Sequence, residues 1–104
     1  MVDHIVLLRW QPGASEAARE AAATALAALP SKVSGIVRYT AGAQSSPEGK
    51  SHGYDWGFVM TFTDAAACDT YLPHPEHQRV VAEMLAPIVA DVLAFEFEHG
   101  DRLP

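Results

Sequence analysis

Thiol is nearly absent: Cys68 is the only cysteine, so no internal disulfide can staple the chain, and a lone thiol fits a reducing compartment. Cationic residues are also scarce, with seven Lys and Arg against thirteen Asp and Glu, a formal charge of −6. So few scattered cations cannot make the clustered basic surface that nucleic acid or an anionic membrane needs, and neither is expected as a partner. No apolar run approaches the ~18 residues of a membrane-spanning helix, and the chain opens with no basic-then-apolar leader pattern, so a cytoplasmic protein is expected. A phosphate-cradling glycine loop, a dinucleotide fingerprint and a nucleophile paired with a base are missing too, which leaves nucleotide chemistry unsupported.

What is present is apolar. Hydrophobic residues make up 49% of the 104 and charged ones 19%. That suffices for one domain spanning residues 1–104, with apolar surface left over for a partner. Residues 2–10 read as a strand that is apolar on both faces, with His4, Val6, Leu8 and Trp10 on one side and Ile5 and Leu7 on the other. Ser15 is a good N-cap for an alanine-rich helix running to Leu29, whose small inner face, including Ala22, either packs closely or leaves room beneath it. A second strand covers 36–41. Residues 43–53 form a polar loop without an apolar anchor, expected to be mobile and to gate a pocket. Residues 54–62 alternate strictly, placing Tyr54, Trp56, Phe58, Met60 and Phe62 on one face. Asp64 caps a helix to Leu72, and another runs from Pro75 to about Ala86 or, past Pro87, to Ala90. A last strand over 92–98 is read with Leu93, Phe95 and Phe97 inward. The order β-α-β-β-α-β is that of the ferredoxin-like α+β fold, an antiparallel four-stranded sheet with its helices on one face.

The densest stretch is Tyr71-Leu-Pro-His-Pro-Glu-His-Gln78, a phenol and two imidazoles pinned by two prolines. Pro75 suits the first position of a helix, so His74 precedes that helix and His77 lies in its first turn, on the side of Val80, Val81 and Met84. Burial and the positive end of the helix both favour an uncharged imidazole, and a neutral imidazole can take a proton. A purely structural reading stands beside this one, in which His77 closes a tight junction and His74 shapes the turn. The pocket expected between sheet and helices is walled by Val6, Leu8, Trp56, Phe58, His74, Val80, Val81, Met84 and Leu93. His4, His74 and His77 could in principle ligate a metal. No cysteine or inward carboxylate adjoins them in this reading, so no metal and no cofactor are expected.

With the element order, Asp3-His4-Ile5-Val6-Leu7, Ser46-Pro47-Glu48-Gly49 followed by Gly53-Tyr54-Asp55, and Tyr71-Leu72-x-His74-Pro75-x-His77 give a chain-long resemblance to the stress-responsive dimeric α/β-barrel (Dabb) family. The resemblance implies a homodimer whose sheets pair face to face into a barrel, which would explain the apolar Ile5, Leu7 and Val59. Through the polyketide-folding cyclases of that family it also implies cofactor-free proton transfer. His77 would be the base, Tyr71 the donor to a substrate carbonyl and His4 a third catalytic group, acting on a small apolar, aromatic or polyketide ligand. Trp56 stands where those cyclases carry a further histidine, and Ala22 and Ala23 stand where they carry aromatics, so the pocket has a different shape. The alternative implication is a stress-associated dimer that is structural or binds a ligand without turnover.

Overall fold

The computed structural model describes residues 1–100, which form one antiparallel sheet with helices packed on a single face. In chain order the elements are β1 (Val2–Trp10), α1 (Glu16–Ala28) ending in a 3-10 turn (Leu29–Ser31), β2 (Ile36–Ala43), β3 (Trp56–Phe62), α2 (Ala65–Tyr71), α3 (Pro75–Val80) and β4 (Val89–Glu98). The sheet order is β2-β3-β1-β4, the ferredoxin-like arrangement. Helix α1 starts where the sequence indicates, with the Ser15 hydroxyl accepting from the Ala18 N–H at 3.1 Å, and Asp64 caps α2 through Ala67 N–H at 2.8 Å.

Register decides which side chains meet. His4 lies between Met60 and Glu96, Val6 between Phe58 and Ala94, and Leu8 between Trp56 and Val92. Residues directly opposite one another in an antiparallel pair share a face, so these rows all point at the helices. They meet Leu26, Leu29, Tyr71 and Val80 there to form the core. The intervening rows, Phe95–Ile5–Val59 and Leu93–Leu7–Gly57, point away. A Cβ on Gly57 would lie 2.8 Å from Leu7 Cδ2, so glycine is what lets Leu7 lean across β3.

Two expectations fail at the C-terminal end. Strand β4 begins at Val89, three residues early, so the helix does not run past Pro87. Its parity is also opposite to the one anticipated. Leu93, Phe95 and Phe97 lie on the outer face, 40%, 58% and 45% exposed, while Val92, Ala94 and Glu96 face the helices. The largest apolar side chains of β4 therefore sit on the uncovered side of the sheet. Beyond Val80, helix α3 widens into a π-helical turn, Val81–Leu85, closed by Ala86 N–H to Val81 C=O at 2.8 Å. The extra residue in that turn shifts the helical period, and both Met84 and Leu85 pack against the core.

Candidate functional site

Pro73 and Pro75 have no N–H to donate, so the α2–α3 junction has an incomplete set of backbone hydrogen bonds, and side chains supply others. The His74 Nδ1 accepts from Glu76 N–H at 3.1 Å, which caps α3 with Pro75 in its first turn. The Leu72 carbonyl, deprived of the Glu76 N–H, accepts instead from His77 Nδ1 at 2.8 Å and from Gln78 Nε2 at 2.9 Å. A carbonyl only accepts, so the hydrogen of a neutral His77 sits on Nδ1 and the lone pair on Nε2. Burial lowers the His77 pKa below the usual imidazole value. The Leu72 hydrogen bond opposes this in part, and the neighbouring His4 and His74 add to it. The ring is therefore neutral at pH 7 and able to accept a proton.

Tyr71 closes α2 directly against it. Its ring centroid is 4.4 Å from that of His77, 5.1 Å from Phe62 and 6.1 Å from His4. The residue is 0% exposed, and its hydroxyl has no hydrogen-bond partner among the described residues. Burial raises the phenol pKa, so it keeps its proton and remains a donor. His4 is buried on β1, with Nδ1 2.8 Å from Glu96 Oε2. The same Glu96 oxygen accepts from the Cys68 thiol at 2.9 Å. Glu96 is held below the usual carboxylate range, chiefly by that thiol hydrogen bond and further by His4, while Cys68 is pushed up to about 12 by burial and by Glu96. An ionised Glu96 accepts from His4 Nδ1–H, which in the neutral ring leaves Nε2 as an acceptor.

His4, Tyr71 and His77 line one cavity of about 320 Å³ between sheet and helices, with Val6, Leu8, Phe58 and Val81 among its apolar walls. Thus three imidazole or phenol groups that the sequence singled out converge on a single pocket, as do four of the nine expected wall residues. The other five do not line it. Trp56 packs on Trp10 and Phe58 with centroids 5.9 and 6.0 Å away. His74 caps α3, and Val80 is fully buried in the core, with Met84 packed against it. Leu93 is on the opposite face of the sheet. Sequence reading missed Leu26, Leu85, Val92 and Ala94 as walls, and it missed Glu96 and Cys68 behind His4. The expectation that no cysteine or inward carboxylate adjoins the histidines is overturned by the register of β4. The three histidines do not converge on one metal position; among the described residues, the cluster of three potential ligands is His4, Cys68 and Glu96.

The polar loop is not at this pocket either. Ser46, Glu48, Lys50 and His52 line a separate cavity of about 470 Å³ with Leu7 and Leu93, so the expected gate lies beside the outer face. The loop is tied at its end, with Asp55 N–H donating to Leu8 C=O at 2.8 Å and Trp10 N–H donating to Asp55 Oδ2 at 3.0 Å.

With this geometry in place, the chain can be set beside known proteins. Residues 2–99 match the stress responsive A/B barrel domain, Dabb. A dimeric ferredoxin-like protein of unknown function from Jannaschia sp. CCS1 is 33% identical, with 94% of this chain and 98% of that one covered and a TM-score of 0.78. A Dabb family protein with a ferredoxin-like fold from Mesorhizobium loti is 23% identical over 96% and 97% of the two chains, with a TM-score of 0.78. The hydroxynitrile lyase of Passiflora edulis superposes with a TM-score of 0.88 at 17% identity, over 99% and 96%, a likeness of fold. No curated protein matches the sequence.

Proposed function

The chain belongs to the stress responsive A/B barrel domain family, and on that footing we propose that it is a homodimer whose protomers each hold a small, neutral, carbonyl-bearing molecule and move a proton on it without a cofactor. The observation that carries this reading is the Tyr71 hydroxyl, fully buried, protonated and without a hydrogen-bond partner among the described residues, beside an imidazole whose free nitrogen is a base. A buried hydroxyl without a partner costs stability, so a role in ligand binding accounts for its retention. In the proposed mechanism the substrate carbonyl accepts from Tyr71, His77 Nε2 takes a proton from the adjacent carbon, and the O–H supports the enolate oxygen as charge develops. His4 Nε2 is a second acceptor that orients a hydroxyl or returns a proton. Apolar walls exclude water, and among the described residues no Lys or Arg lines the cavity, so neutral substrates are favoured over carboxylates and phosphates. Ring closure or isomerisation of a small aromatic or polyketide-like molecule falls within this chemistry. That a hydroxynitrile lyase shares the fold supports the compatibility of this scaffold with catalysis. The homodimer reading rests on the exposed row Leu93, Phe95 and Phe97 and on the dimeric Jannaschia relative. The single thiol and the acidic charge suit a cytoplasmic setting.

A second reading has its own observation. The Leu72 carbonyl draws in both His77 and Gln78, which suits a histidine whose task is to lock the junction of a non-catalytic, ligand-binding dimer. Exchange of activated C–H protons separates the two: a panel of small neutral 1,3-diketones is incubated in D2O and followed by NMR with wild type and His77→Ala. The catalytic reading expects exchange by the wild type that disappears in a folded His77→Ala protein. Exchange no faster with wild type than with the variant, across the panel, rejects it.

A further inference from the structure

Beside His4 three different donor groups from three elements meet: an imidazole from β1, the only thiol from α2 and a carboxylate from β4. Their donor atoms lie within 4.8 Å of one another. The imidazole Nδ1–H and the thiol S–H both point at one oxygen, Glu96 Oε2, at 2.8 and 2.9 Å. Two hydrogens converging on one carboxylate oxygen mark a position where a single divalent cation can replace both. We propose that His4 Nδ1, Cys68 Sγ and Glu96 form a binding site for a zinc-type divalent cation.

The donor set suits that ion, because sulfur, nitrogen and oxygen ligands together favour a borderline-soft cation over magnesium or calcium. Access is provided by a cleft of about 280 Å³ that opens on Cys68 and Glu96 and is also lined by Asp69 and Glu98. Three carboxylates and, among the described residues, no Lys or Arg give its mouth a negative potential, and the opening leaves a fourth coordination position for water. Binding has a defined proton balance. The thiol gives one proton to solvent, and the imidazole hydrogen is exchanged through water from Nδ1 to Nε2. Starting from the neutral imidazole, one ion releases one proton, and the charge of the group rises from −1 to 0. The nitrogen that His4 turns to the pocket then changes from acceptor to donor, so metal loading alters the polarity of the pocket wall while it ties α2 to β1 and β4.

The full-length chain, stripped with a chelator under reducing conditions, is titrated with Co2+ and then Zn2+. The site predicts a near-ultraviolet sulfur-to-cobalt charge-transfer band that saturates at one ion per chain and is displaced by Zn2+, with one proton released per Zn2+ by calorimetry in buffers of different ionisation enthalpy. Cys68→Ser should abolish the band. Glu96→Gln, at a half-exposed position whose fold is checked by circular dichroism, should weaken Zn2+ binding at least tenfold. Absence of the band in the wild-type chain overturns the assignment. So does Zn2+ binding of unchanged affinity in folded Glu96→Gln, which would move the ion to His52, His74 or His99.

Discussion

Replacing Tyr71 with Phe removes one oxygen and leaves the ring in place, so the contacts with Phe62, His77 and His4 survive. The hydroxyl has no partner among the described residues, and burying such a group costs about 1–3 kcal/mol. The substitution therefore relieves a penalty without breaking a hydrogen bond, and the expected change runs from none to a gain of about 1–2 kcal/mol. In a domain of about this size each kcal/mol moves the melting midpoint by roughly 4–8 °C, so the variant should melt at or above the wild-type temperature. Turnover or ligand affinity should fall in the same protein, for turnover by roughly 10²-fold, as when one donor to a developing oxyanion is lost. Paired melting curves at equal protomer concentration read the first quantity, and the exchange assay reads the second. A drop in the midpoint corresponding to about 1 kcal/mol or more would show that the hydroxyl serves the fold, and the functional reading of Tyr71 would fall with it.

The outer face offers a second test: Phe95→Asp places a charge among Ile5, Val59 and Phe97 and should give monomer or aggregate in sedimentation, whereas a wild type already monomeric at micromolar concentration removes the dimer. The pH dependence is set by the sign of the His77 shift. Its native pKa lies below the usual ~6.5, so its contribution to stability is fully present above ~6.5 and is lost as pH falls through the native value. Turnover should accordingly hold at neutral pH and decline only on the acid side of ~6.5, and an acid limb centred above that value contradicts the assignment. Gly35 has φ +97°, and a Cβ there would lie 2.7 Å from the Ala67 Cβ, so Gly35→Ala should destabilise by at least about 1 kcal/mol in a denaturant melt; an unchanged midpoint would mean that the contact of the turn before β2 with α2 is loose.

How far the sequence reached differs between the two ends of the chain. Caps and prolines are local signals, so Ser15, Asp64 and Pro75 place their helices correctly; a strand period points His4 inward and a helix period His77, and the Pro73-His74-Pro75 elbow brings Tyr71 to the same rim. Strand β4 was not legible in the same way. Alternation gives two faces without saying which is covered, and Phe95 and Phe97 pulled the inward assignment toward the larger side chains. A sheet read as meeting a second copy carries large apolar residues on its far side, which inverts the usual inference from size to burial. Glu96 was lost for the matching reason: a carboxylate reads as solvated until its register beside His4 and Cys68 is known. Met84 packs against the core as its period indicates, while Leu85 is the one of the two that lines the pocket, a distinction the hydrophobic pattern does not carry. The loop over 43–53 reads as polar from composition alone, but only the fold shows that it borders Leu7 and Leu93 and not the histidines.

Proton transfer in this pocket requires that His77 present an unprotonated Nε2 at neutral pH. A 15N-resolved NMR titration of the imidazole reads both nitrogens and the pKa together. The expected result is a neutral ring with its hydrogen on Nδ1 and an inflection below ~6.5. A proton on Nε2 at pH 7, or an inflection at or above ~6.5, contradicts it.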